Sequence, residues 1–159
     1  MIRTNRFALF ATVLLVAGLV LAVTPASADQ HSGTWKMNPE KSKYSPGPAV
    51  KSTTVTIVAD DKGVKLNAEG VNGDGSALHV QYDAKFDGKD YPVTGIPYAD
   101  TVSVKRAGAD TIVSTMKKGG QAVMTVTSVV SKDGKTRTST FKGKDAAGDV
   151  LNVVVSDKQ

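Results

Sequence analysis

Turn signals recur at short, even intervals along most of this chain: Asp60-Asp61-Lys62-Gly63, Asn72-Gly73-Asp74-Gly75, Asp87-Gly88, Ala107-Gly108-Ala109-Asp110, Gly119-Gly120, Asp133-Gly134 and Ala147-Gly148-Asp149. Glycine supplies positive φ and Asp or Asn caps the bend, so each cluster reverses the chain tightly. No stretch between them is long enough for a substantial helix. Consecutive hairpins are what such a chain can form.

The segments between the turns carry strand patterns. Leu78 to Phe86 is the clearest, with Leu78, Val80, Tyr82, Ala84 and Phe86 alternating with His79, Gln81, Asp83 and Lys85. A strict period of two means one packed face and one wet face. Thr53–Val58, Val64–Ala68, Thr101–Arg106, Thr111–Lys117, Gln121–Val130, Lys135–Lys142 and Val150–Ser156 are rich in Val, Ile and Thr and read as strands too. With Gly33–Met37 and a short strand near Tyr91–Thr94, the count reaches about eight to ten. The fold expected is all-β: a single antiparallel up-and-down meander barrel, with a β-sandwich as the alternative.

Two features bear on what fills the interior. In Gln121–Val130, Ala122, Met124, Val126 and Val130 share one face, while Val123 and Val129 lie on the other beside Thr125 and Thr127. In Lys135–Lys142 the even positions are Thr136, Thr138, Thr140 and Lys142, leaving little apolar surface on either face. Either such a strand lies at an exposed edge, or its threonines face a cavity filled by ligand or water. Between the first two strands, Lys36–Val50 carries Pro39, Pro46 and Pro48, which exclude a long helix. Asn38 as a cap and Pro39 after it suit one short turn, and the segment is expected to cover the bottom of the barrel.

The N-terminal segment has the marks of an export signal. Arg3 and Arg6 precede the uncharged apolar run Phe7–Val23, and Ala26-Ser27-Ala28 supplies small residues before Asp29. The run is shorter than the roughly 20 residues a membrane span requires. Residues 1–28 are therefore expected to be removed, leaving 29–159 as one domain in the bacterial periplasm or secreted, with no stable membrane span. An exported chain without cysteine must hold together by packing and backbone pairing. Without Arg3 and Arg6, 18 basic side chains face 15 acidic ones, and a net of +3 is a solvated surface rather than a nucleic-acid footprint.

Catalytic groupings are not visible in the sequence. A hydroxyl nucleophile needs a base, and the two histidines are His31, expected to be mobile near the new N-terminus, and His79, on the wet face of the clearest strand. No serine stands in a Gly-x-Ser-x-Gly context. Asn72-Gly73-Asp74-Gly75-Ser76 lacks the ligand spacing and closing glutamate of a calcium loop. Without Cys, and with two His, no metal site or cofactor is expected.

Gly33-Thr34-Trp35, followed by a proline-interrupted crossing and a run of hairpins, resembles the Gly-x-Trp opening of lipocalins, within the calycin group that includes fatty-acid-binding proteins. Val153–Lys158 resembles the last strand of a fatty-acid-binding protein. The mature chain as a whole, including Phe86–Gly95 and Val130–Lys135, is similar to a group of uncharacterised exported bacterial proteins. The calycin resemblance implies that Trp35 is structural, packed across the closed end of a barrel. Departures are also plain. The lipocalin arginine that covers this tryptophan has only Lys158 near its place, and the arginine and tyrosine pair that holds a ligand carboxylate is missing, since Arg106 precedes Ala107 and Gly108 and Arg137 precedes Thr138 and Ser139.

The function expected is a non-catalytic exported barrel that binds a small, mostly apolar molecule, lined by Leu78, Val80, Tyr82, Phe86, Met116 and Met124. The alternative is a structural or interaction protein of the cell envelope that meets a partner through loops such as Pro92–Asp100.

Overall fold

A computed structural model describes residues 29–45, 49–145 and 148–159 of the protein. The expected leader, residues 1–28, lies outside the described residues, as do Pro46, Pro48 and Ala147. Among the described residues the strands are β1 Gly33–Met37, β2 Ser52–Ala59, β3 Gly63–Val71, β4 Ala77–Lys85, β5 Asp90–Thr94, β6 Thr101–Arg106, β7 Thr111–Lys118, β8 Gln121–Val130, β9 Thr136–Asp145 and β10 Gly148–Lys158. Each pairs antiparallel with the next, and β1 pairs with both β2 and β10, so the meander closes into a ten-stranded barrel. Trp35 stands at the closing seam, opposite Val55 on one side and Lys158 on the other. The sandwich alternative is excluded.

Alternation decides what enters the barrel. On β7, Ile112, Ser114 and Met116 are buried, and on β8 so are Met124, Val126, Ser128 and Val130. The threonine-rich strand corrects both earlier readings. β9 is no edge, since β8 and β10 flank it, and its threonines are the outward set, with Arg137 and Ser139 buried at the positions between them.

The antiparallel order gives the barrel two unlike ends. Toward one end the inward positions hold Trp35, Ile57, Val64, Ala84, Val104, Ile112 and Val130, all buried, and they make a solid core. Midway along the strands the inward positions hold Ser114, Ser128, Ser139 and Ser156. Side chains this small leave room that larger aliphatic groups would fill. Solid packing stops there and the interior opens.

The solid end is sealed by the residues preceding β1. His31 is fully buried, which corrects the expectation that it is mobile. The Trp35 indole donates from Nε1 to the His31 carbonyl at 2.9 Å, and Ser32 both donates to and accepts from the Ala59 backbone at 3.0 and 2.9 Å. Gln30 Nε2 donates to the Ala109 carbonyl at 2.8 Å, and Asp29 pairs with Arg106. The described residues of the crossing, 38–45 and 49–51, lie toward the other end. There Lys43 bridges to Val153, and Tyr44 and Val50 stand at the mouth of the interior. Residues 29–32, not the described part of 36–50, cover the sealed end.

Lys158 completes this seal, its Nζ lying 5.0 Å from the Trp35 ring centroid. The last strand thus places a cation over the tryptophan after all, as lysine. Gly33 makes room for it. With φ at +130°, and with a Cβ there falling 2.7 Å from Lys158 Cε, the position suits glycine alone. Gly33→Ala is expected to lower stability by about 1–3 kcal/mol, measurable as an earlier urea midpoint at unchanged slope.

Candidate functional site: the internal cavity

Above the solid core lies a cavity of about 460 Å³, open at the end away from residues 29–32. Its upper wall is apolar. Val55, Ala68, Leu78, Val80, Met116, Met124, Phe141 and Val150 face it from β2, β3, β4, β7, β8, β9 and β10. Ile96 and Tyr98, from the segment between β5 and β6, stand at the mouth, and the Tyr98 hydroxyl lies 3.9 Å from Met124 Sδ.

Of the six residues that the sequence offered as lining, Leu78, Val80, Tyr82, Met116 and Met124 stand on this wall. Phe86 does not, which is a correction. β4 ends at Lys85, and Phe86 lies one step further toward the sealed end, where the Arg106 guanidinium sits over its ring at 4.5 Å from the centroid. The period-two pattern gave the correct face but not the depth at which the cavity ends. Trp35 is fully buried beneath the cavity and takes no part in its wall.

The floor is polar, and its serines and arginine are ones the sequence pattern alone does not single out. Ser114, Ser128, Ser139 and Ser156 converge there with the Tyr82 hydroxyl and the Arg137 guanidinium. Arg137 is 8 % exposed and donates from Nη2 to Ser128 Oγ at 2.9 Å. Ser128 and Ser139 share a hydrogen bond of 3.0 Å, and Tyr82 and Ser114 lie 3.4 Å apart, oxygen to oxygen. Among the described residues Arg137 Nε has no hydrogen-bond partner and no carboxylate forms an ion pair with this guanidinium. A buried charge without a counter-ion is costly.

Local electrostatics follow from that burial. Burial draws Arg137 below the ordinary arginine value, and Tyr82 opposes the shift. Burial also raises the Tyr82 phenol, with Ser114 and Arg137 pulling it back. His31 is lowered to about 4, first by burial and then by the charge of Arg137, with Asp29 opposing. The Asp110 backbone favours the protonated ring slightly, but no well-formed hydrogen bond reaches either nitrogen. His31 is therefore neutral at neutral pH. His79 remains at the surface, 3.7 Å from Glu69.

Among the described residues no group of three or more His, Cys, Asp or Glu side chains is placed to hold a metal ion. Asp74 at the rim uses its carboxylate to accept from the Ser76 amide at 2.8 Å and hydroxyl at 2.7 Å, which makes the segment around it a hairpin turn. Comparison of the chain with family models, curated proteins and solved structures finds no match.

Proposed function

We propose that the protein is an exported, non-catalytic barrel that holds a small, mostly apolar molecule. The cavity carries this reading. At about 460 Å³ it falls within the range of roughly 300–1,000 Å³ typical of small-molecule sites, and its wall is built by the inward positions of seven strands. The segment offered as an outward docking loop supports the same reading. Its apolar residues Ile96 and Tyr98 line the cavity mouth.

An uncharged fluorescent probe, N-phenyl-1-naphthylamine, tests this directly. Titration into the purified domain is expected to give saturable, one-site enhancement of its emission. Val80→Trp fills the middle of the wall and should weaken binding by about tenfold or more, since an overpacked site must distort to admit the probe. No saturable binding, or binding that Val80→Trp leaves unchanged, would refute the proposal.

A further inference from the structure

We infer that the ligand carries one negative charge, which enters first and rests on Arg137 while the apolar body fills the upper cavity. This rests on the proposed ligand-binding reading and specifies its chemistry. A solid core needs no guanidinium, and Arg137 makes no ion pair among the described residues to account for its burial. It sits on the polar floor beneath the apolar wall, 8 % exposed, with Nη2 donating to Ser128 and Nε without a hydrogen-bond partner among the described residues.

The surrounding groups fit an anion. Serine and tyrosine hydroxyls can rotate to donate, so Ser114, Ser128, Ser139 and Tyr82 can add donors around an oxygen held by the guanidinium. Arginine bonds to carboxylates are charge-assisted and commonly bidentate. One guanidinium neutralises one charge, which favours a carboxylate over a phosphate monoester with close to two charges at neutral pH. Among the described residues the acidic group in the lining is Asp74, exposed at the rim and engaged by Ser76, and none of them places a carboxylate at the floor. Depth fixes orientation. Arg137 lies near the start of β9, close to the sealed end, so the head must lead and the tail must face the mouth.

The test compares decanoate, 1-decanol and decyl phosphate as competitors of N-phenyl-1-naphthylamine. Decanoate should bind the unmodified domain about tenfold or more tighter than decanol, the scale of a hydrogen bond to a charged group. Arg137→Met should erase that preference while leaving decanol affinity within about twofold. A second readout does not depend on any variant. The ¹³C resonance of bound carboxyl-labelled decanoate should stay at its ionised position through the pH range in which free decanoate takes up its proton. Decanol competing as well as decanoate, decyl phosphate binding tighter than decanoate, a preference that survives Arg137→Met, or a bound carboxyl that titrates like the free acid would each overturn the assignment of a singly charged head on Arg137 and leave the apolar-cavity reading standing. If neither the probe nor any of the three competitors binds, both readings fall.

Discussion

Trp35→Ala is expected to remove about 3–5 kcal/mol of folding free energy, the range for deleting a large aromatic from a close-packed interior. The indole is fully buried, and three separate parts of the fold depend on it. It occupies the seam where β1 meets β2 and β10, its Nε1 holds the His31 carbonyl at 2.9 Å, and Lys158 lies over its ring. Truncation would leave a cavity and an unpaired buried carbonyl together. Before substitution, the emission of this single tryptophan should be strongly blue-shifted. Urea unfolding followed by circular dichroism measures the loss, and a cost below about 1 kcal/mol would mean that the sealed end does not need the indole.

The second large effect is a loss of stability in mild acid that traces to His31. Its folded value of about 4 lies below the ordinary histidine value of 6.5, so between those two values the unfolded chain binds the proton that the folded chain refuses. The stabilisation is complete above pH 6.5, falls away as the pH drops toward 4, and changes no further below that. A shift of this size corresponds to a loss on the order of 3 kcal/mol. Carboxylates contribute to acid unfolding as well. Asp60, Asp74, Asp87, Asp133 and Asp157 are all held below the ordinary aspartate value by hydrogen bonds they accept, and their effect sets in lower on the pH scale. His31→Phe isolates the histidine. Compared with the unmodified domain near pH 7 and near pH 4.5, it should lose far less stability on acidification. Equal losses in the two proteins would show that the ring is not buried in its neutral form.

Much of the architecture was legible because a half-buried strand must alternate. Leu78 to Tyr82 reported its inward face correctly, and the turn clusters fixed where each hairpin reverses. Gly33–Met37 and Gln121–Val130 coincide with β1 and β8 to the residue. What remained hidden has a common cause. Arg137, Ser139 and Ser128 are polar residues at inward positions, and a reading that sorts residues by polarity places them outside. Phase would have found them. Counting by twos from Phe141 puts Ser139 and Arg137 on its face, as counting back from Val130 puts Ser128 with Val126 and Met124. His31 gave no such signal, because nothing local in Asp29–Ser32 tells that this turn is drawn under Trp35. Phe86 obeyed the alternation but lay beyond the cavity, and depth along a barrel is set by how neighbouring strands are staggered, which one strand's pattern does not contain.

The pairing of β1 with β10 has a consequence for how the chain acquires its shape. Every other strand pair joins neighbours in sequence, so hairpins can form as soon as each turn is made. The closing pair is different. It joins Trp35 to Lys158, and the Gln159 amide reaches back to the Thr34 carbonyl at 2.9 Å. Contacts of such high sequence separation form late, because the whole intervening loop must first be ordered. A chain delivered from its N-terminal end would hold β1 unpaired on one side until β10 arrived, exposing a strand edge and the indole beside it. Sealing of the barrel end is thereby made contingent on the last ten or so residues being delivered, and a chain cut short before Val153 would be left as an open, adhesive sheet.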